Sequence, residues 1–387
     1  TLRGPVNEMR MVPVPNEVNL SPRTVTFAEA LQSAGYATGL FGKWHLGHQN
    51  GSEPTAQGFQ EYFDSRYPNP NQRREEPEDP KGIFSISSAA CAFMEKHKDR
   101  PFLAYVAYHA IHTALEARPA SLEKFRDKPK GQQHHDPLYA ACTYDLDAGI
   151  GTVLDKLREL GLEENTVVIF TSDNGGTQRS SQEPLRGSKG GYYEGGIREP
   201  MLVRWPGVVR PGSISETPVL NLDFYPTFLS IAGAKAPSEH VLDGADITPL
   251  LRGEGALEDR AIYWHFPGYL NDPVVRGRDL VFRTRPTTVM RKGDWKLHLF
   301  HEEWQLDGGR ERLAENNAVE LYNLRDDPGE RVNLALSNTA KRDELLDEML
   351  AWMQRTGATM PSETNPDYAP APGPKYAPAP GSDREAG

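Results

Sequence analysis

Apolar positions in the first two thirds of the chain occur as short continuous runs separated by amphipathic stretches. The runs lie within 36–41, 101–110, 166–176 and 200–207, and strands that are apolar on both faces are typical of a parallel sheet covered by helices. Stretches at 24–35, 137–160 and 222–233 have the spacing of helices, and Thr26 with Glu29 forms a capping box at the start of the first. This alternation predicts an α/β fold with a mixed, mostly parallel sheet flanked by helices.

After about residue 256 the pattern changes to alternating residues around tight turns. The stretches 287–300 and 317–334 predict antiparallel strands, and 339–355 predicts an amphipathic helix. The last residues repeat YAPAPG and predict an extended, largely disordered tail. We therefore expect an α/β domain over 1–255, a smaller α+β subdomain over 256–360 and a proline-rich tail over 361–387.

Composition limits the possible partners. The chain has 387 residues and a formal net charge of −11, which argues against a general nucleic-acid binder because binding to polyanions requires a positive field. No run approaches the roughly 20 apolar residues of a membrane span. The two cysteines, Cys91 and Cys142, are too few for a disulfide framework. The chain starts at Thr1 without a leader pattern, so we expect a processed product or a fragment.

Polar clusters lie at or near the ends of three predicted strands. Lys43 and His45 follow the first, His112 lies just beyond the second, and Asp173 with Asn174 follows the third. Because ligands of open α/β sheets bind outside the carboxyl ends of the strands, these positions predict one binding site. Each cluster taken alone also fits a solvated loop or a turn. His109, in the same stretch as His112, is interpreted as a hydrogen-bonded structural residue.

A glycine-rich segment, "LRGSKGGYYEGGIREP" at 185–200, surrounds Lys189. Glycines allow the backbone to approach a ligand closely, and the lysine would supply a point charge to an anion; a surface hairpin is the alternative. The stretch "YWHFPGY" offers His265 and Tyr269 as residues at the rim of a substrate site, together with the loop 66–82, although a packed strand end fits equally.

These stretches together resemble one family, the formylglycine-dependent sulfatases of the alkaline phosphatase superfamily. "GYATGLFGKWHLG", "YHAIHTAL", "VVIFTSDNGG", "SKGGYYEGGIREP" and "RKGDWKL…ELYNLRDDPGE" occur in the order of that family, from about residue 24 to 355. The resemblance implies an alkaline phosphatase-like fold and hydrolysis of an alkyl, aryl or glycan sulfate ester.

The resemblance also implies roles for individual residues. Lys43 and Lys189 would hold the sulfate oxygens, and His45 would assist the nucleophile. His112 would protonate the leaving alcohol. Asp173 and Asn174 would bind one calcium ion (Ca2+). His265 remains a candidate substrate-binding residue from its position alone.

The nucleophile of the family, a cysteine in a Cys-x-Pro/Ala-Ser-Arg stretch that is oxidised to formylglycine, is not found in this sequence: Cys91 lies in "CAFME" and Cys142 in "CTYDL". We therefore expect an N-terminally truncated sulfatase that is inactive alone, with the formylglycine segment upstream. The alternatives are a phosphodiesterase or phosphonate hydrolase of the same superfamily, and a non-catalytic anion- or glycan-binding relative. By resemblance the protein would be periplasmic or secreted.

Overall fold

The computed structural model describes residues 4–66, 76–238, 240–255, 257 and 259–377. The helices of this part of the chain are α1 (Phe27–Ser33), α2 (Ile83–Lys96), α3 (Pro119–Arg126), α4 (Pro137–Glu159), α5 (Glu194–Ile197), α6 (Phe224–Ala232), α7 (Thr248–Arg252), α8 (His301–Leu306) and α9 (Thr339–Thr356). Its strands are β1 (Ala37–Gly42), β2 (Glu61–Phe63), β3 (Phe102–Ala107), β4 (Val168–Thr171), β5 (Met201–Arg204), β6 (Ala261–Phe266), β7 (Leu270–Asn271), β8 (Phe282–Thr284), β9 (Thr287–Lys292), β10 (Trp295–Phe300) and β11 (Val319–Asn323).

The chain divides into two compact units, and each unit is assembled from separated segments. The parallel-sheet unit comprises Glu17–Phe170 and Leu202–Leu257, and the antiparallel-sheet unit comprises Thr1–Asn16, Thr171–Met201 and Glu258–Gly387. The predicted division at residue 255 is therefore wrong in its boundaries. Long-range contacts place Thr1–Asn16 and Thr171–Met201 in the antiparallel-sheet unit. The hydrophobic pattern of the sequence gives no information about such contacts, because it depends on neighbouring residues. No described helix is both long and apolar enough to cross a membrane.

The parallel-sheet unit contains the predicted parallel sheet, in the strand order β2-β1-β3. Every residue of the central strand β1 is buried, because helices and both neighbouring strands surround it. Phe41 of β1 packs in one apolar cluster with Phe93 and Met94 of α2 and with Leu157 of α4. The structure thus confirms the α/β class, and helices α1 and α4 agree with their predicted bounds to within a few residues.

Local chemistry fixes the start of α1 as the sequence predicts. The backbone N–H of Glu29 donates to the Thr26 hydroxyl at 3.2 Å, and the Thr26 N–H donates to the Glu29 carboxylate at 2.7 Å. These two bonds satisfy backbone donors that a helix start would otherwise leave unpaired. The helix therefore starts at Phe27, directly after the capping residue Thr26.

The antiparallel-sheet unit contains a four-stranded sheet in the order β11-β10-β9-β6. The predicted final helix is α9, which buries Leu346 and Met349 against Leu297 of β10 in one apolar cluster. The ring of Trp352 on α9 stacks on Tyr263 of β6 with centroids 4.2 Å apart. The predicted C-terminal α+β architecture is confirmed.

Residues 361–377 make specific tertiary contacts, which corrects the prediction of a disordered tail for this range. The Asn365 amide donates to the carbonyl oxygens of Val6 at 2.7 Å and Met9 at 2.8 Å. The Lys375 ammonium lies 2.7 Å from the carboxylates of both Glu302 and Glu303. Specific hydrogen bonds and ion pairs hold this proline-rich stretch, and composition alone does not reveal them. The predicted tail residues 378–387 lie outside the described residues.

Candidate active site

Lys43 and His45 follow directly on β1, at the carboxyl edge of the parallel sheet. The Lys43 N–H donates to the Ala107 carbonyl oxygen at 2.7 Å, which extends the β1–β3 pairing by one residue and fixes the lysine backbone. Trp44 packs edge-on against Phe59 at 6.0 Å, and its indole N–H donates to the carbonyl oxygens of Gly47 and Ser52. The tryptophan therefore shapes the loop, while Lys43 is partly buried and His45 is exposed.

The segment after β3 places two histidines in different environments. His109 is 5% exposed, and its Nε2 lies 2.8 Å from a carboxylate oxygen of Asp64, as expected for the structural histidine. His112 is exposed, and its Nδ1 donates to the Thr113 carbonyl oxygen at 2.6 Å. This bond assigns the proton of the neutral ring to Nδ1, so that Nε2 is the nitrogen that gains a proton when the ring becomes cationic.

Asp173 and Asn174 lie directly beyond β4, beside the segment that contains Lys189. The Lys189 N–H donates to the Gly176 carbonyl oxygen at 2.9 Å, and the Gly175 N–H donates to the Gly196 carbonyl oxygen at 3.0 Å. A Cβ at Gly175 would lie 2.1 Å from the Gly195 carbonyl oxygen, so only glycine permits this approach. Backbone hydrogen bonds thus connect the Asp173–Asn174 stretch with the Lys189 segment in the antiparallel-sheet unit, although the two lie apart in the sequence.

A second carboxylate, that of Glu199, lies close to Asp173. Burial, followed by the negative charge of Asp173, raises the pKa of Glu199 to about 7. The Glu199 Oε1 atom is buried without a hydrogen-bond partner. Two neighbouring carboxylates with an unsatisfied oxygen, beside the amide of Asn174, are the hard oxygen donors that a calcium ion prefers. These residues fit part of a calcium shell, although the described residues contain no cluster of three or more potential His, Cys, Asp or Glu ligands.

A buried charge network holds the Lys189 segment, and sequence reasoning did not predict it. Lys296 is fully buried, and its ammonium lies 2.9 Å from carboxylate oxygens of both Glu194 and Glu330. The other oxygen of Glu330 accepts the Glu194 N–H at 2.5 Å, and His298 Nε2 lies 3.3 Å from Glu330. The motifs "GDWKL" and "DPGE" contain this lysine and Glu330, but their pairing with Glu194 depends on tertiary structure.

His265 lies on β6, where neighbouring residues occupy both ring nitrogens. Nδ1 lies 2.8 Å from the Thr288 hydroxyl, and Nε2 lies 3.0 Å from the Thr359 carbonyl oxygen. The Tyr269 hydroxyl donates to Glu302 at 2.6 Å, and its ring is buried. The predicted rim loop 66–82 is described only at residue 66 and from 76 onward. A role for His265 in substrate binding stays a prediction.

Both cysteines lie inside helices. Cys142 of α4 is completely buried, and burial raises the pKa of its thiol to about 11. Cys91 of α2 is 7% exposed, and burial raises its pKa as well. Because a nucleophilic cysteine needs an accessible thiolate, neither position suits that role.

The predicted site residues fall into two groups. Lys43, His45 and His112 belong to the parallel-sheet unit, where the first two follow β1 and the third follows β3. Asp173, Asn174 and Lys189 belong to the antiparallel-sheet unit. Each unit therefore presents at least one lysine together with groups that transfer protons or bind cations.

The Sulfatase family model matches residues 3–234, which is more than half of the chain. A second model, N-sulphoglucosamine sulphohydrolase C-terminal, matches residues 188–357. The chain therefore belongs to the Sulfatase family.

Known relatives agree with this classification. A sulfatase of Formosa agariphila is 36% identical over 280 residues, covering 67% of this chain and 47% of the relative. Human arylsulfatase A is 34% identical over 360 residues, covering 80% of this chain and 66% of the relative. The chain thus spans about half to two thirds of these two relatives.

Among solved structures, Ps i-CgsB in complex with k-i-k-neocarrahexaose superposes with a TM-score of 0.71 and 26% identity, covering 92% of this chain and 79% of that one. This likeness confirms the alkaline phosphatase-like fold. The relatives are sulfatases, so the alternative of a phosphodiesterase or phosphonate hydrolase is not favoured.

Proposed function

We propose that the protein to which this chain belongs hydrolyses sulfate esters and that its substrate is a sulfated glycan. The observation that carries the proposal is the continuous family match over residues 3–234, which includes the two lysines, the two histidines and the Asp173–Asn174 pair. The similarity to a structure named as a complex with k-i-k-neocarrahexaose supports a glycan in preference to a small aryl or alkyl sulfate.

The proposed chemistry follows from where charge develops in sulfate transfer. Negative charge resides on the non-bridging oxygens and increases on the departing alcohol oxygen. The ammonium groups of Lys43 and Lys189 would stabilise the former. A protonated His112 Nε2 would give its proton to the departing alcohol oxygen. His45 would assist the nucleophile as a proton acceptor. The backbone hydrogen bonds of Lys43 and Lys189 hold both residues in fixed positions.

Asp173 and Asn174, with Glu199 beside them, would hold a calcium ion. The ion would supply positive charge toward an anionic substrate. Asn174 is a neutral amide, so the site has more net positive charge toward an anionic substrate than it would have with a carboxylate at this position. The nucleophile is assigned to no described residue, since both cysteines are buried in helices.

The test is sulfate release by the protein produced from its complete coding sequence. Ion chromatography would follow inorganic sulfate from a sulfated oligosaccharide and from an aryl sulfate, with an aryl phosphate as the comparison. We expect release from the sulfated oligosaccharide to be fastest. Phosphate ester hydrolysis that exceeds sulfate ester hydrolysis would reject the proposal. Export to the periplasm or the medium remains a prediction from the family resemblance, and cell fractionation would test it.

A further inference from the structure

The backbone of Lys189 is held by a hydrogen bond at each of its two polar groups. Its N–H donates to the Gly176 carbonyl oxygen at 2.9 Å, and its carbonyl oxygen accepts from Nη1 of Arg283 at 3.3 Å. The first bond stays within one segment, whereas the second comes from β8, 94 residues farther along the chain. Arg283 therefore connects the turn that contains Lys189 to the β7–β8 pair of the same antiparallel-sheet unit.

The aliphatic part of Arg283 packs against the glycine that follows Lys189. A Cβ at Gly190 would lie 2.5 Å from Cδ of Arg283, closer than two such carbon atoms can approach. Gly190 also has a φ of +84°, a left-handed backbone conformation that glycine adopts without strain. The turn is closed by the Gly191 N–H, which donates to the Ser188 carbonyl oxygen at 3.0 Å. Arg283 thus contacts this turn through its guanidinium group and through its apolar stem.

Arg283 is itself supported by its surroundings in β8. Its Nε donates to the Asp272 carbonyl oxygen in the turn after β7 at 3.4 Å. Its neighbours on β8, Phe282 and Thr284, are buried, and Phe282 packs in an apolar cluster with Tyr269. Because protein interiors are close-packed, a strand anchored in this way gives the arginine a fixed base from which to hold the turn.

This support matters because of the chemistry proposed for Lys189. A lysine ammonium is a point charge on a flexible four-carbon stem, so its position depends on the backbone that carries it. Electrostatic stabilisation of a transition state is effective when the charge is in place before the reaction begins. A displacement of about 1 Å can reduce a reaction rate about 100-fold. A residue that holds the Lys189 backbone can therefore control turnover without touching the substrate.

We propose that Arg283 is a positioning residue for Lys189, which fixes the place of the lysine ammonium at the sulfate by holding the Lys189 carbonyl oxygen and the Gly190 turn. The arginine acts on the backbone and is assigned no contact with the substrate. The inference rests on the proposed function, because it takes Lys189 as a residue that holds a sulfate oxygen. Arg283 lies outside the glycine-rich segment, in a strand of three residues, so no local motif indicates this role.

Steady-state sulfate release by the complete protein tests the proposal, with a sulfated oligosaccharide as substrate and ion chromatography as the assay. Arg283→Met keeps most of the aliphatic stem and removes the donor, so we expect kcat to fall by about 10- to 100-fold and KM to change less. Arg283→Lys restores a cationic donor and should recover part of the loss. An Arg283→Met protein with the wild-type kcat would overturn the proposal.

A double-mutant cycle with Lys189→Ala separates positioning from general stability. If Arg283 acts through Lys189, Arg283→Met should change kcat less than about 2-fold in a protein that already lacks the lysine side chain. A merely structural arginine would lower kcat by the same factor in both backgrounds, and that result would also overturn the proposal.

Arg312→Met is the matched control. Arg312 is an exposed arginine of the same unit, paired with Glu315, and it also lies against a glycine of positive φ. A Cβ at Gly308 would be 2.6 Å from Cδ of Arg312, much as a Cβ at Gly190 would be from Arg283. Arg312→Met should therefore keep the wild-type kcat.

Hydrogen exchange in the 387-residue chain gives a measurement that does not depend on turnover. The backbone N–H groups of Lys189 and Gly191 should exchange faster in Arg283→Met and at the wild-type rate in Arg312→Met, because only Arg283 contacts their turn. Unchanged exchange at both positions in Arg283→Met would overturn the proposal. Failure of the proposed function would instead appear as absent sulfate release by the complete wild-type protein.

Discussion

Replacement of Lys296 by methionine should destabilise the antiparallel-sheet unit and loosen the Lys189 segment. The lysine is fully buried and contacts two carboxylates at 2.9 Å, so its removal leaves Glu194 and Glu330 buried beside each other. Loss of one partner of a buried ion pair costs about 3–5 kcal/mol. That is a large part of the 5–15 kcal/mol by which a typical domain is stable.

The pH dependence of stability gives a second measure of the same network. Burial alone would raise the pKa of Glu330, but the charge of Lys296 and the hydrogen bond from His298 lower it from 4.5 to about 2. Because the folded pKa lies below the unfolded one, the ionised form contributes stability above about pH 4.5, and this is lost as the pH falls toward 2. The difference corresponds to about 3 kcal/mol. Lys296→Met should move this acid-induced loss to higher pH.

Urea unfolding and hydrogen exchange would check the prediction. Lys292→Met is the control, because Lys292 is a partly exposed lysine of β9 paired with Glu348, and surface pairs contribute about 0–1 kcal/mol. Backbone N–H groups of Gly175, Lys189 and Gly195 should exchange faster in Lys296→Met, since α5 connects the network to their hydrogen bonds. A Lys296→Met chain within about 1 kcal/mol of wild type, or with unchanged exchange at these positions, would refute the reasoning.

Further outcomes are expected elsewhere. Lys43→Ala in the complete protein should lower sulfate release by orders of magnitude, and near-normal steady-state rates would refute its role. The 387-residue chain alone should release little sulfate from an aryl sulfate, because neither Cys91 nor Cys142 suits the nucleophile; appreciable turnover would contradict this. Both thiols should react slowly with a thiol reagent in the native chain and fast in denaturant. Calcium should bind this chain weakly in calorimetry, and Asp173→Asn should weaken it further, so tight binding in either would contradict the prediction.

Local patterns in the sequence determined four of the described helices, α1, α4, α6 and α9, together with most of the described strands and the chemical types at the site. These signals are local, because each depends on residues that are close together in the sequence. They are the capping box of Thr26, the helical spacing of the apolar residues in α4, and the continuous apolar runs of β1 and β3. The sequence also placed Lys43 and Asp173 directly after strands. It also indicated His109 as a hydrogen-bonded structural histidine, and His109 is buried with its Nε2 beside the Asp64 carboxylate.

Tertiary structure alone decided which distant residues meet. Glu194 pairs with Lys296 and Glu330 across more than one hundred residues, and residues 365–377 bind to the N-terminal segment and to α8. The apparent domain boundary near 255 was wrong for the same reason. The hydropathy of a residue indicates whether its side chain is buried. It does not indicate which distant residue pairs with a buried charge, because that depends on how the whole chain folds.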